Sequence, residues 1–485
     1  MGTPPMLLCD FYKISHREQY PDKTEMVYST WTPRSNKHHP TVDKVVVFGV
    51  QAFVQKYLID YFRDNFFSRP KEDVVKEYSR MLKFALGVQD PYTRHIEDLH
   101  DVGFLPLNIR AMPEGSEVPL RVPMLTIENT DKRFFWLTNF VETLMSAELW
   151  QTSTSATIAK EYRTILDRYA EATGNPDFVQ FQGHDFSMRG MGCVEAAAAS
   201  GAGHLLSFVG TDTIPAICYL EQYYYADIAQ ELVGTSIPAT EHSVMMAGGY
   251  GNEYETYRRL ITDIYPSGFV SIVSDTWDLW ACIERIIRPL KNAIMARDGR
   301  VVIRPDSGDP VKIICGDPEA EGLAKIGLVE ALWNIFGGTI NEKGFKELDP
   351  HIGAIYGDSI TLKRCEAICF LLQQKGFAST NVVYGIGSYT YQANTRDSFG
   401  FALKSTMCMI DGEQKNIFKN PATDDGTKKS NTGVVAVLDT IDGYVCVDKL
   451  QIDHALPDEM RSVFQDGNVM EIDSLATIRA RLNNR

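Results

Sequence analysis

At 485 residues, with 44% hydrophobic and 23% charged content, the chain can form two or three domains with sizeable cores, and its composition is that of a soluble globular protein. A net charge of −15 argues against broad nucleic-acid binding, which needs a basic surface. It leaves room for a small anionic ligand held by a few converging arginines, backbone N–H groups and a divalent cation. No apolar run approaches a membrane-spanning length, and the N-terminus lacks the basic and apolar regions of a signal peptide. The nine cysteines form no CxxC pair or metal-ligand spacing, and Cys365 and Cys369 lie four apart on one helix face. An odd, dispersed set fits thiols in a reducing cytoplasm better than a disulfide framework.

In chain order, residues 1–40 are irregular and carry Asp10-Phe-Tyr12-Lys13 and Trp31-Thr-Pro-Arg34. A short apolar run over 45–48 leads into a predicted helix over 49–62, and a second helix is predicted over 71–86. The proline-rich stretch 105–129 contains short alternating runs, Leu107-Asn-Ile-Arg-Ala and Met124-Leu-Thr-Ile, which predict a small β element. Helical periodicity returns over 131–149 and 155–169.

Beyond residue 179 the pattern becomes regular. Apolar runs end in glycine or charged groups: Val179 to Asp185 and Arg189, Leu205 to Asp212, Val270 to Asp275, Val301 to Asp306, Ile352 to Asp358, and Val382 to Ser388. Helical patterns over 276–290, 319–336 and 359–375 separate several of them. Strand and helix alternating, with polar groups at the strand ends, predicts parallel βα units; six of them suit a (β/α) barrel better than an open sheet. Val301-Val-Ile-Arg304-Pro-Asp306-Ser-Gly308-Asp309 is typical: a short buried strand, a charged end, then Asp309 as N-cap and Pro310 as first helical residue. It reads either as a ligand-binding loop or as an ordinary βα loop with one ion pair. Residues 401–485 mix short strands with the loop Asp424-Asp-Gly-Thr-Lys428-Lys429-Ser and a helical tail. The predicted division is an N-terminal α+β region 1–178, a barrel-like domain 179–400, and a segment 401–485 that packs with the N-terminal region.

In a barrel the strand ends share one mouth. Arg189 and Arg304 with Asp185, Asp212, Asp275, Asp306 and Asp358 suit a polyphosphate-bearing substrate with Mg²⁺, since guanidinium forks bind phosphate and carboxylates take metal-bound water or sugar hydroxyls. Gly385-Ile-Gly387-Ser388 reads either as a phosphate-facing turn or as a tight βα turn. GxxxxGK[ST], complete GxGxxG, HExxH and GxSxG motifs are missing. His184 and His242 stand beside acids, where structural pairing is the commoner role.

These residues sit in a series of segments that resembles the nicotinamide phosphoribosyltransferases. They are Asp10-Phe-Tyr12-Lys13 with His16 and Gln19-Tyr20-Pro21, Phe48-Gly49-Val-Gln51, Pro113-Glu-Gly115, Trp136-Leu-Thr-Asn139, His184-Asp-Phe-Ser-Met-Arg189-Gly, Gly210-Thr-Asp-Thr213, Glu241-His-Ser243, Val273-Ser-Asp275, Ile303-Arg-Pro-Asp-Ser-Gly308, Gly357-Asp358, Thr395-Arg-Asp397 and Phe418-Lys419. The resemblance implies an α/β fold, an incomplete (β/α) barrel of the type II phosphoribosyltransferase kind with a second α+β domain from the N- and C-terminal segments. It implies transfer of the phosphoribosyl group of 5-phosphoribosyl-1-pyrophosphate (PRPP) to nicotinamide by a cytoplasmic homodimer, with Mg²⁺ carried by PRPP and ATP as a potential activator. No membrane or nucleic-acid partner is implied.

By the same resemblance, Phe186 stacks one face of the pyridine ring and Tyr12 of a second subunit the other. Asp212 accepts from the carboxamide and disfavours nicotinate, and Ser271 joins the substrate-binding set. Arg189 and Arg304 hold pyrophosphate and the ring region, with Arg34 and Lys404 supplied across a dimer interface. Asp306 and the Gly357-Asp358 turn take ribose hydroxyls; Gly387, Ser388 and Arg396 take the 5′-phosphate. His242, oriented by Asp275, matches a histidine that the family phosphorylates from ATP. The family carries a glycine-richer run where Ser388-Tyr389 stand here. Alternatives are a nicotinate-using relative and a non-catalytic PRPP or nucleotide sensor on the same fold.

Overall fold

The computed structural model describes residues 2–423 and 428–483; the Asp424-Asp-Gly-Thr part of the predicted loop lies outside the described residues. The chain divides into two compact units, one of Met1–Thr157, Tyr219–Ala226 and Asn394–Arg485, the other of Ile158–Cys218 and Asp227–Ala393. These boundaries differ from the predicted 178/179 and 400/401. The first falls inside a single helix, Glu142–Thr173, which sequence periodicity divides in two around Gln151-Thr-Ser-Thr-Ser. Here the hydroxyls of Thr152, Thr154 and Thr157 donate to the carbonyls four residues earlier, so a run that usually competes with helix is accommodated by it.

The first unit holds a seven-stranded sheet whose paired strands are all antiparallel. Thr24–Thr32 lies between Ala402–Ile410 and Leu125–Asn129, and Leu107–Ala111 pairs with Arg461–Gln465, so early and late segments alternate in one sheet. Trp31 stacks on Phe401 across this pairing, with ring centroids 5.6 Å apart and planes 7° from parallel. The first unit's core is apolar and rich in β-branched and aromatic residues, including Val45, Val47, Phe53, Phe66 and Ile127.

The second unit is built on six parallel strands in the spatial order Gly210–Thr211, Gly183–Asp185, Val382–Ile386, Ile352–Tyr356, Val301–Arg304 and Val270–Val273. All fall on the predicted apolar runs, which are nearly continuous because a parallel sheet is covered on both faces. A stretch without strand character spans the gap between the two edge strands. Thr235 bridges to Gly210 and Ala239 to Ser271, both parallel, through Thr211 N–H to the Thr235 carbonyl at 3.0 Å and Ser271 N–H to the Pro238 carbonyl at 2.8 Å. Six strands plus this segment form the ring, so the barrel is incomplete by the eight-stranded standard. Asp309 caps the helix Pro310–Cys315 as expected, its carboxylate accepting from Val311 N–H at 2.9 Å and Lys312 N–H at 3.4 Å. A hairpin of Gly338–Ile340 with Lys346–Leu348 was not anticipated by the periodicity. Among the described residues no helix is long and apolar enough to cross a membrane.

Candidate active site

In the second unit the residues at the C-terminal ends of the parallel strands converge. Phe186, Arg189, Asp212, Arg304, Asp306, Gly357, Asp358, Gly387 and Ser388 line one polar cavity of about 290 Å³. They come from the strand ends or from the turns just beyond them, the position from which barrel loops build sites. Gly357 allows a close approach: a Cβ there would lie 2.7 Å from Asp306 Oδ1, so a larger residue would push that carboxylate aside.

A second cavity of similar volume runs inside the ring of strands. It shares Phe186, Asp212 and Arg304 with the first and reaches Phe178, Phe181, Phe269 and Arg300, residues that precede the strands. Its wall is mostly apolar, with Ile237, Val302, Ile355 and Val383. Ser271 also lines it; the hydroxyl is buried and has no hydrogen-bond partner among the described residues. A buried hydroxyl of this kind calls for a ligand or a water.

Arg304 joins the two cavities. Its Nη2 donates to the Thr240 carbonyl, while its buried Nε has no partner among the described residues. Burial pulls its guanidinium below the usual value, opposed by the charges of Asp306, Asp212 and Asp275. Asp306 responds in the opposite sense: burial pushes its carboxyl up, and the charge of Arg304 only partly offsets this. Burial also pushes Asp212 upward, but hydrogen bonds from His184 and Ser236 and the charges of His184 and Arg304 outweigh it, leaving the carboxyl below its usual range. Asp212 is therefore a strongly ionised acceptor at neutral pH.

Asp275 Oδ2 accepts from the Asp306 backbone N–H at 2.8 Å and from the Ser307 hydroxyl, which fixes the loop after Val301–Arg304. Its Oδ1 lies 3.5 Å from His242 Nε2. His242 begins the short helix His242–Ala247 and is about half exposed, whereas Asp275 is buried.

The second unit thus brings together Phe186, Arg189, Asp212, Arg304, Asp306, Gly357, Asp358, Gly387 and Ser388, with Ser271 in the inner cavity and His242 beside Asp275. The other four candidates, Tyr12, Arg34, Arg396 and Lys404, belong to the first unit. There Tyr12 and Lys404 line a separate cavity of about 450 Å³ with Lys13, His16, Tyr20, Asn139, Glu142 and Ser405. Tyr12 is 58% exposed, Lys13 is buried and paired with Glu142, and burial lowers the Lys404 ammonium. Arg34 Nε donates to the Gly400 carbonyl at 2.8 Å, and Arg396 lies in the turn Arg396–Ser398 near Asp397.

Sequence reasoning missed Ser236 and the role of His184. His184 does not pair with its neighbour Asp185 but with Asp212, Nε2 to Oδ1 at 2.8 Å, and Ser236 Oγ donates to the same oxygen at 2.6 Å. Ser236 lies in Ser-Ile-Pro-Ala-Thr, where Pro238 hides the segment's place in the barrel.

Comparison with known proteins agrees with this architecture. Residues 181–468 match the model of the nicotinate phosphoribosyltransferase (NAPRTase) family, and residues 5–109 match the N-terminal domain of nicotinamide phosphoribosyltransferase. A nicotinamide phosphoribosyltransferase of Acinetobacter baylyi is 51% identical over 99% of this chain and 97% of its own. The chain belongs to the nicotinamide phosphoribosyltransferase family. A second such relative, from Mycoplasma pneumoniae, is 33% identical over 88% of the chain and 94% of its own length. Among solved structures, the nicotinate-nucleotide pyrophosphorylase of Pyrococcus furiosus superposes with a TM-score of 0.59 at 15% identity, covering 100% of this chain and 96% of that one. The human nicotinic acid phosphoribosyltransferase gives 0.56 at 14% identity, covering 99% and 93%. At such identities these two speak for the fold: the type II phosphoribosyltransferase architecture of a parallel barrel-like sheet with a separate antiparallel one.

Proposed function

We infer that the chain transfers the phosphoribosyl group of PRPP to nicotinamide, giving nicotinamide mononucleotide and pyrophosphate in NAD biosynthesis. The observation that carries the choice of base is Asp212, whose carboxyl is held below its usual range and which, with Phe186, borders both the polar cavity and the inner one. A carboxamide offers N–H donors to it; a nicotinate carboxylate would meet like charge at short range.

In this reading the pyridine nitrogen forms a bond to the anomeric carbon as the bond from that carbon to pyrophosphate breaks. The electron pair leaves with pyrophosphate and no proton is transferred. Phe186 holds the ring by stacking, and the Ser271 hydroxyl, otherwise without a partner among the described residues, donates to the carboxamide oxygen. Arg304 and Arg189 balance charge accumulating on the leaving group, with Arg304 Nε an open donor for it. Asp306 and Asp358 accept from the ribose hydroxyls, and Gly387 and Ser388 take the 5′-phosphate. PRPP enters as its Mg²⁺ complex. Catalysis is then positioning plus charge stabilisation of a dissociating bond.

We further propose that a second copy of the chain supplies Tyr12, Arg34 and Lys404 to this site in a homodimer. The exposure of Tyr12 and the basic character of its cavity support that assignment. In the same proposal a ring nitrogen of His242 takes the γ-phosphoryl group of ATP, releasing ADP, and water later removes it, coupling hydrolysis to PRPP binding; the Asp275 carboxylate 3.5 Å from Nε2 supports this role by orienting the ring. Nine cysteines, all free thiols, support a reducing, cytoplasmic setting.

The test is direct: pure protein, Mg²⁺, PRPP and nicotinamide should yield mononucleotide and pyrophosphate in equal amounts. No product would end the reading. ATP should lower the apparent KM for PRPP in the parent but not in His242→Ala; an unaltered KM in the parent rejects the coupling.

A further inference from the structure

Asp212 carries an asymmetry that its role as acceptor does not require. Both of its hydrogen-bond donors meet the same oxygen: His184 Nε2 lies 2.8 Å and Ser236 Oγ 2.6 Å from Oδ1. Among the described residues no donor reaches Oδ2. The two donors come from different parts of the barrel. His184 is on the strand Gly183–Asp185, while Ser236 belongs to the segment spanning the gap between the edge strands. Two donors from two directions fix the carboxylate's rotation about its Cβ–Cγ bond, which a single donor would leave free.

The surroundings of His184 show that its ring position is itself constrained. The ring sits against Phe186, centroids 4.5 Å apart and planes 35° from parallel. On the neighbouring strand Gly210 leaves it room, since a Cβ there would lie 2.8 Å from His184 Nδ1. One histidine therefore contacts both the aromatic platform and the acceptor, and its Nε2 must carry the proton to donate to Asp212.

We propose that His184 and Ser236 are positioning residues for base selection: by occupying Oδ1 together they keep Oδ2 as the one open, oriented acceptor for the substrate's carboxamide. The inference rests on the reading of Asp212 as the group that distinguishes amide from acid. Both residues act through Asp212, so their loss should alter the choice between bases and leave PRPP recognition in place.

The experiment measures kcat/KM for nicotinamide and for nicotinate, with the KM for PRPP, in the parent protein, Ser236→Ala, Ser236→Thr, His184→Leu and His184→Gln. Losing one hydrogen bond to a charged group should lower the nicotinamide-to-nicotinate ratio about ten-fold in Ser236→Ala and in His184→Leu. The change should appear in the KM for nicotinamide, with the KM for PRPP held. Ser236→Thr, which keeps a hydroxyl, and His184→Gln, which keeps an N–H, should recover most of the ratio. Unchanged ratios in Ser236→Ala and His184→Leu would overturn the proposal, as would equal losses for both bases. Ser236 is exposed, so its substitution tests the bond without removing core packing. If one alanine or leucine variant fails to fold, as read by its melting transition, the remaining pair decides. A parent protein that prefers nicotinate would instead sink the reading of Asp212 itself, which separates the two failures.

Discussion

The strand Val301–Arg304 serves two cavities of opposite character. Val302 faces the apolar passage inside the ring, while Val301 and Ile303 belong to the core packed around the sheet. Arg304, at the strand's end, borders the polar cavity together with Asp306 just beyond it. The inner cavity is walled by the alternate side chains of the strands; the outer one is built from the strand ends and the turns beyond them. A flat heterocycle suits the first and a phosphorylated sugar the second, and among the described residues only Phe186, Asp212 and Arg304 border both. A mostly apolar wall and a charged one thus meet within a few residues of chain.

The largest effect should come from the residue that joins the two regions. Arg304→Leu should lower kcat/KM for PRPP on the order of 10³-fold, because the guanidinium that borders both cavities, proposed above to face the leaving group, is removed. A loss below about ten-fold in steady-state kinetics would place pyrophosphate elsewhere. Next comes a charge in the apolar passage. Val302→Glu buries a carboxylate at a position only 8% exposed, and even with Arg300, Arg304 and the Ser271 hydroxyl lining the same passage its desolvation should cost about 3 kcal/mol in denaturant unfolding. Full stability would show the passage to be wet and polar.

A smaller effect concerns acidity at the outer cavity. Burial raises the Asp306 carboxyl, so as pH falls it takes a proton sooner than an ordinary aspartate and stops acting as a charged acceptor. The rate should therefore decline on the acid side at a higher pH than an ordinary aspartate would give, and Asp306→Asn should flatten that decline while lowering the rate about ten-fold. The linkage sign agrees. A raised carboxyl binds its proton more tightly folded than unfolded, so this group's contribution is most favourable at low pH and diminishes as pH rises through its folded value. Asp306→Asn should consequently melt no lower than the parent at neutral pH. An unchanged acid limb in the variant would assign that limb to another group.

The same division explains what the sequence disclosed. The outer cavity was legible because a charged residue after an apolar run is visible in one dimension, as at Arg304, Asp212 and Asp358. The cap at Asp309 was legible for the same local reason. The apolar wall of the inner cavity was not, since Val302 and Val301 look alike until the sheet decides which faces inward. The segment at Ser236 was hidden because it pairs through isolated bridges around Pro238 and has no strand periodicity. The long helix was misread as two because its serines and threonines satisfy their hydroxyls within it, a tertiary outcome that local propensity does not foretell. The positions of Tyr12, Arg34, Arg396 and Lys404 in the first unit show the limit of motif matching: it names residues without saying which body carries them.

One measurement tests the central claim most directly. With Mg²⁺ and PRPP saturating, kcat/KM is determined for nicotinamide and nicotinate in the parent protein and in Asp212→Ser. The parent should favour nicotinamide by at least about 100-fold, and the serine variant, with no charge to repel a carboxylate, should lose most of that preference. A ratio unchanged by the substitution, or a parent that turns over nicotinate faster, would contradict the account.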